Sequence, residues 1–186
     1  MRAVSALVLA IALGGCGSPY LDLRYPVYLV PKKSFWAGCD EHPLGPQVCR
    51  SGRIGQVFNG VDEWFRYFHP DHRPEVVVVL SANGVPFDAV NGPIYLAVDK
   101  NDCGKDSEAC YISRWYKETE IIFMATDKIS DFMAHEFGHA LGRDDNDVSK
   151  GTVSAMSYDL YGTVTPQDFI MMCRMHHECR IVKRQP

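Results

Sequence analysis

The chain has 186 residues, 46% of them apolar, and a formal charge of −4. That is enough length for one domain with a real core, and an apolar content ordinary for a globular chain. The mild acidity argues against the basic stripe of a nucleic-acid binder, and past the first residues no apolar run is long enough to span a bilayer.

The amino terminus reads as a targeting segment. "MRAVSALVLAIALGGC" carries one positive charge at Arg2 and an apolar stretch from Ala3 to Leu13, too short for a membrane-spanning helix and suited to export. It ends in "LGGC", Leu13 to Cys16, which resembles the lipobox of bacterial lipoprotein signals. The resemblance implies cleavage before Cys16 and lipidation of that cysteine, with stable anchoring from more than one acyl chain. The expected layout is a signal peptide over 1–15, a lipidated tether over 16–24 and one folded domain over 25–186. The expected location is the bacterial cell envelope, at the outer membrane, because Gly17 is not the aspartate linked to inner-membrane retention.

Beyond Cys16 six cysteines remain, an even number in an exported chain, which predicts three disulfides. They fall into local pairs: Cys39 with Cys49, Cys103 with Cys110, Cys173 with Cys179. No CxxC spacing suggests a cysteine-bound structural zinc.

In chain order, "YPVYLV" reads as a first strand ended by Pro31. Residues 32–53, rich in Gly, Pro and Cys, read as a stapled loop. "IGQVFNGVDEWFRYF" puts Val57, Val61, Trp64, Phe65 and Phe68 on one helical face. "EVVVVLS" is a continuous β-branched run, the pattern of a strand buried on both faces. "GPIYLAVDKN" alternates as a strand. "YISRWYKETEIIFMATD" holds two strands with a turn near Lys117 to Thr119. A helix runs from Ile129 or Ser130 to Leu141, with Ser130 as cap and Asp131 favourable to the helix dipole. A last helix starts at "TPQDFIMM", with Thr165 as cap and Pro166 at the first helical position. This order predicts an α+β fold, a mixed sheet with helices packed on it.

The chemistry lies in "HEFGHALGRDDND", residues 135–147. His135 and His139, four apart on a helix, place both imidazoles on one face within reach of one ion. Glu136 is offset around the helix, where it stands beside the ion as a general base: the HExxH arrangement. The helix is apolar nearly all round, so its histidines and glutamate are expected to be buried and to need partners. Gly142 suits a left-handed residue that closes the helix and turns the chain back beneath the metal. The residue three further on, Asp145, is then placed as third ligand, with Asp144 and Asp147 as rivals.

This stretch resembles the metzincin signature HExxHxxGxxH, with Asp145 where the third histidine stands. "HEFGHALG" is similar to the matrixin branch, and an aspartate as third ligand resembles the snapalysin type. "SAMSY" resembles the Met-turn, with Met156 as a hydrophobic floor under the metal and Tyr158 two residues on. "TPQDF" resembles the matrixin C-terminal helix. The matches cover residues 129–172. The resemblance implies a twisted mixed sheet with an N-terminal, an active-site and a C-terminal helix. It implies one catalytic Zn2+ on His135, His139 and Asp145, with Glu136 as base and Tyr158 as either a resting ligand and oxyanion stabiliser or a packing residue. The implied activity is zinc-dependent endopeptidase action on peptide or protein substrates outside the cytoplasm. A carboxylate ligand lowers the ion's effective charge, so its water should be less acidic than under three imidazoles.

The implied partners are substrate, bound as an added strand along "YISRWY", and the membrane through the N-terminal lipid. No nucleic acid is expected, and the chain is expected to be monomeric. Specificity would lie in residues 159–164, after the Met-turn. The competing hypothesis is a non-catalytic binding lipoprotein on the same scaffold, against which the retained Glu136 argues. The remaining histidine clusters, "HPDHR" (His69 to Arg73) and "HHE" (His176 to Glu178), read as solvated loop and helix-end residues. His42 has no evident partner.

Overall fold

Five strands form one sheet in the order β2-β1-β3-β5-β4. They are β1 (Val27–Pro31), β2 (Val76–Val78), β3 (Ile94–Val98), β4 (Ala109–Arg114) and β5 (Lys117–Phe123). Among the described residues three α-helices accompany the sheet, α1 (Pro46–Phe65), α2 (Ile129–Ala140) and α3 (Pro166–Met175). The computed structural model describes residues 21–99, 103, 107–114, 117–143, 154–157 and 163–176. The architecture is α+β with a mixed sheet. β2, β1, β3 and β5 run parallel, and β4 lies antiparallel to β5 at one edge. No helix among the described residues is long and apolar enough to cross a membrane.

The central strands are apolar on both faces because both faces are covered. Val27, Leu29, Ile94, Leu96, Ile121 and Phe123 join the main core, while Ala97 and Ile122 face a smaller cluster with Cys103. α1 joins β1 to the parallel β2, and its buried face of Val57, Gly60, Val61, Trp64 and Phe65 packs on α2. At Gly60 the helices come so close that an added Cβ would lie 2.5 Å from Met133 Cβ. Trp64 donates its indole N–H to Ala134 O at 2.7 Å, so the polar edge of a wholly buried ring is satisfied by the helix it packs on.

Two expected disulfides are formed, Cys39–Cys49 and Cys103–Cys110. Cys173 is also disulfide-bonded; Cys179, its expected partner, lies outside the described residues. Cys39–Cys49 ties the loop after β1 to the first turn of α1. Arg53, 9% exposed, reaches back from α1 and donates to Phe35 O and to Ala37 O, and burial lowers its pKa.

Several boundaries differ from the sequence reading. α1 begins at Pro46, inside the stretch taken for a loop, because Gly45 at φ +90° and Pro46 make a helix start that Gly52 and Gly55 disguise. β2 is not a doubly buried strand. It is the sheet's other edge and half-buried throughout, since a β-branched run looks the same at an edge as at the centre. β5 already starts at Lys117, so Lys117 to Thr119 are strand and not the expected turn. Ser130 is not the cap of α2; it lies inside the first turn and bonds Asp131, after an uncapped entry from a short 3-10 turn. Thr165 does cap α3, in a reciprocal box with Asp168.

The segment taken for tether is packed from Leu21 onward. Leu23 lies in the core, Leu21 N–H donates to Ala140 O at 3.3 Å, and Asp22 is bound by the side chain of Asn91.

Candidate metal centre

α2 carries His135 and His139 one turn apart, and their Nε2 atoms stand 3.1 Å from each other. Each ring is fixed at its other nitrogen. His135 Nδ1 lies 2.7 Å from Ala155 O and His139 Nδ1 2.8 Å from Arg143 O. A carbonyl only accepts, so both Nδ1 atoms carry hydrogen, which leaves the two Nε2 atoms facing one another. A cation between two such nitrogens, whether a proton or a metal ion, is favourable.

The spacing suits a metal. Two imidazoles on one tetrahedral zinc at ordinary bond length place their nitrogens about 3.3 Å apart. Glu136, 3% exposed, completes a group whose ligand atoms all lie within 4.8 Å of one another. Among the described residues this is the group of His, Cys, Asp and Glu side chains that could hold a metal ion. The ring of Tyr111, on edge strand β4, stacks on His139 with centroids 6.1 Å apart.

The carbonyls that orient the histidines come from two turns. Gly142, at φ +86°, reverses the chain after α2: Gly142 N–H bonds His139 O and Arg143 N–H bonds Gly138 O. This pair of bonds is the Schellman closure, and it aims Arg143 O back at His139. The second turn, residues 154–157, is knotted by serines. Ser154 Oγ accepts Met156 N–H, Ser157 Oγ accepts Ser154 N–H, and Ala155 O is left pointing at His135. Met156, wholly buried, sits under the helix at Gly138, where an added Cβ would meet its Sδ at 2.3 Å and Trp64 Cζ2 at 2.6 Å.

The carboxyl end of α2 is closed on all sides. Leu141 N–H bonds Phe137 O, Leu21 N–H bonds Ala140 O, and His176 Nε2 donates to Leu141 O at 2.8 Å. Arg143, its side chain 1% exposed, faces Asp168 at 3.7 Å from within the fold. Asp168 uses its other oxygen to bond Thr165 N–H and Thr165 Oγ1. Asp22 beside this end has a pKa below the ordinary carboxylate value. The Arg24 hydrogen bond is the main cause, with the His176 charge adding to it and partial burial opposing.

The structure thus brings His135, Glu136, His139 and Met156 together as the sequence suggested. Asp145, with its rivals Asp144 and Asp147, and also Tyr158, Cys16, Trp115 and Tyr116 lie outside the described residues. His176 is a correction: it is buried at the helix junction, not solvated. His69, His72 and Arg73 are exposed. His42 has a local partner, since its Nδ1 accepts Leu44 N–H. Sequence reading missed Arg143, because an arginine after a helix reads as surface. It also missed Asp168, although Thr-x-x-Asp is the legible form of a capping box.

No family model matches the chain, and no curated protein or solved structure matches it.

Proposed function

We propose that the protein is a lipid-anchored zinc endopeptidase of metzincin kind, acting on peptide bonds in the bacterial cell envelope. The observation that carries this is the pair of imidazoles held by Ala155 O and Arg143 O with Nε2 atoms 3.1 Å apart, beside the buried Glu136. A glutamate held in that position is more than metal binding alone requires. Three further features agree with the resemblance in "HEFGHALG" and "SAMSY": the helices before, at and after the site, the mixed sheet, and buried Met156 beneath α2.

In this reading His135, His139 and Asp145 hold the zinc. When bound, zinc supplies a Lewis acid that polarises a peptide carbonyl and makes a water more acidic. Glu136 takes that water's proton on a carboxylate oxygen and returns it to the leaving amine. Burial of Glu136 keeps bulk water from competing for the proton. The substrate lies as an added strand against β4, the sheet edge whose Tyr111 stacks on His139.

Peptide-library cleavage read by mass spectrometry tests this, with zinc content measured on the same samples. Wild type should cleave. Glu136→Gln should retain zinc and lose about 10²–10⁴-fold in rate, and Asp145→Ala should lose zinc. Cleavage by Glu136→Gln at the wild-type rate would exclude Glu136 as the base. No cleavage by folded, zinc-loaded wild type on any peptide would favour the binding role instead.

A further inference from the structure

Six large apolar side chains stand exposed among the described residues, and three of them, Tyr25, Phe87 and Val90, belong to segments joined by one asparagine. Asn91 is 5% exposed. Its amide donates to Asp22 O at 2.9 Å, Tyr25 O at 3.2 Å and Pro26 O at 3.1 Å, and its side-chain oxygen accepts Asp22 N–H at 2.8 Å. A buried side chain bonded to the backbone at Asp22, Tyr25 and Pro26, its two amide hydrogens shared among three carbonyls, fixes the amino-terminal segment against the loop that carries Phe87 and Val90. Phe87 is wholly exposed and Val90 58% exposed. A lone exposed phenylalanine would mean little. Its position is what matters here.

That position is set by the chain before Leu21. Cys16 lies five residues ahead of Leu21, and Leu21 is bonded to α2 through Ala140 O. Five residues reach at most about 18 Å. If Cys16 carries the lipid, the bilayer surface lies within that distance of Leu21, whose neighbour Asp22 is tied by Asn91 to the loop. We propose that the loop at Pro86–Val90, with Phe87 at its tip, docks into the surface of the bilayer that holds Cys16. This rests on the lipid-anchor reading above. It gives the anchored chain a second membrane contact.

The charges define the lipid. Asp88 is exposed beside Phe87, Asp22 is neutralised by Arg24, and the whole chain is net negative. No cluster of lysine or arginine lies on the loop, so the contact is apolar and suits zwitterionic lipid. Leu80, also exposed, supplies an internal control. Val79 N–H bonds Leu29 O, so Leu80 follows β2 toward the carboxyl end of β1, whereas Asn91 holds the residues that enter β1.

The test uses the full lipidated chain in phosphatidylcholine vesicles, with flotation first to establish anchoring. Phe87→Trp and Leu80→Trp are then compared for quenching by lipids brominated on the acyl chain, each measured as the excess over the unsubstituted protein. The tryptophan at 87 should lose most of its emission and the one at 80 should keep it. Protein that floats but shows no excess quenching at 87 overturns the docking and leaves the anchor standing. Protein that does not float, and behaves like Cys16→Ser, overturns both. Floating protein without quenching that forms a dimer dispersed by Phe87→Ser would assign the loop to a second copy instead of lipid.

Discussion

Two glycines on either side of His139 serve opposite ends. Gly138 gives space: any Cβ there enters the van der Waals shells of Met156 and Trp64. Gly138→Ala should therefore cost about 1–3 kcal/mol through overpacking. A lower Tm with little change in zinc affinity is the expected result. Gly142 gives conformation: its φ of +86° costs a residue with a Cβ about 1–2 kcal/mol. It also steers Arg143 O onto His139 Nδ1. Gly142→Ala should weaken zinc binding about tenfold or more, read by competition with a chromophoric chelator. Unchanged affinity would show that the carbonyl does not support the site. Of the two, Gly142 was legible, because it ends an apolar helical pattern. Gly138 was not, because what crowds it comes from Trp64 and Met156, far away in the chain.

At the scale of elements, the junction of α2 and α3 is a buried polar joint. Asp168 caps its own helix and faces Arg143, and His176 at the far end of α3 bonds the last turn of α2. Asp168→Asn keeps much of the shape but removes the charge opposite a buried guanidinium. Breaking one side of such a pair costs about 3–5 kcal/mol, more than the roughly 1 kcal/mol of a lost cap in Thr165→Val. Thermal melts of the two variants should rank in that order, and equal losses would reduce Asp168 to a cap alone. The amino-terminal segment at the same junction should respond to acid. Asp22 has its pKa lowered in the folded state, chiefly by Arg24. Its contribution is present above the unfolded carboxylate pKa and is lost as pH falls through the lower folded value. Protection of the Leu21 and Asp22 amides, measured against their intrinsic exchange rates, should fall only in that acid range, and Asp22→Asn should abolish the dependence.

At the scale of the whole molecule, the sheet has two edges with different neighbours. β4 borders the candidate metal centre, and β2 lies at the other side, followed by the loop that carries Phe87. The Cys39–Cys49 bridge lies away from the site, on the loop held by Arg53. Replacing both cysteines by serine should cost about 2–3 kcal/mol for a loop this short and leave zinc affinity unchanged. A loss of affinity equal to the loss of stability would show that this loop and the metal centre are coupled.

What the sequence determined by itself was local, although the start of α1 and the cap of α2 escaped it. The spacing of His135, Glu136 and His139 on one turn, the glycine that closes their helix, Thr165 and Pro166 at the start of α3, and two short-range disulfides depend on neighbours a few residues apart. Tertiary structure decided the rest. It made β2 an edge, buried Arg143 and His176, set Met156 beneath Gly138, and brought the carbonyl of Ala155 to His135. Periodicity records which face of an element is apolar but not which element covers it. The carbonyl that orients His139 comes from the closing turn of its own helix, but the one that orients His135 comes from a separate turn that only the fold brings there.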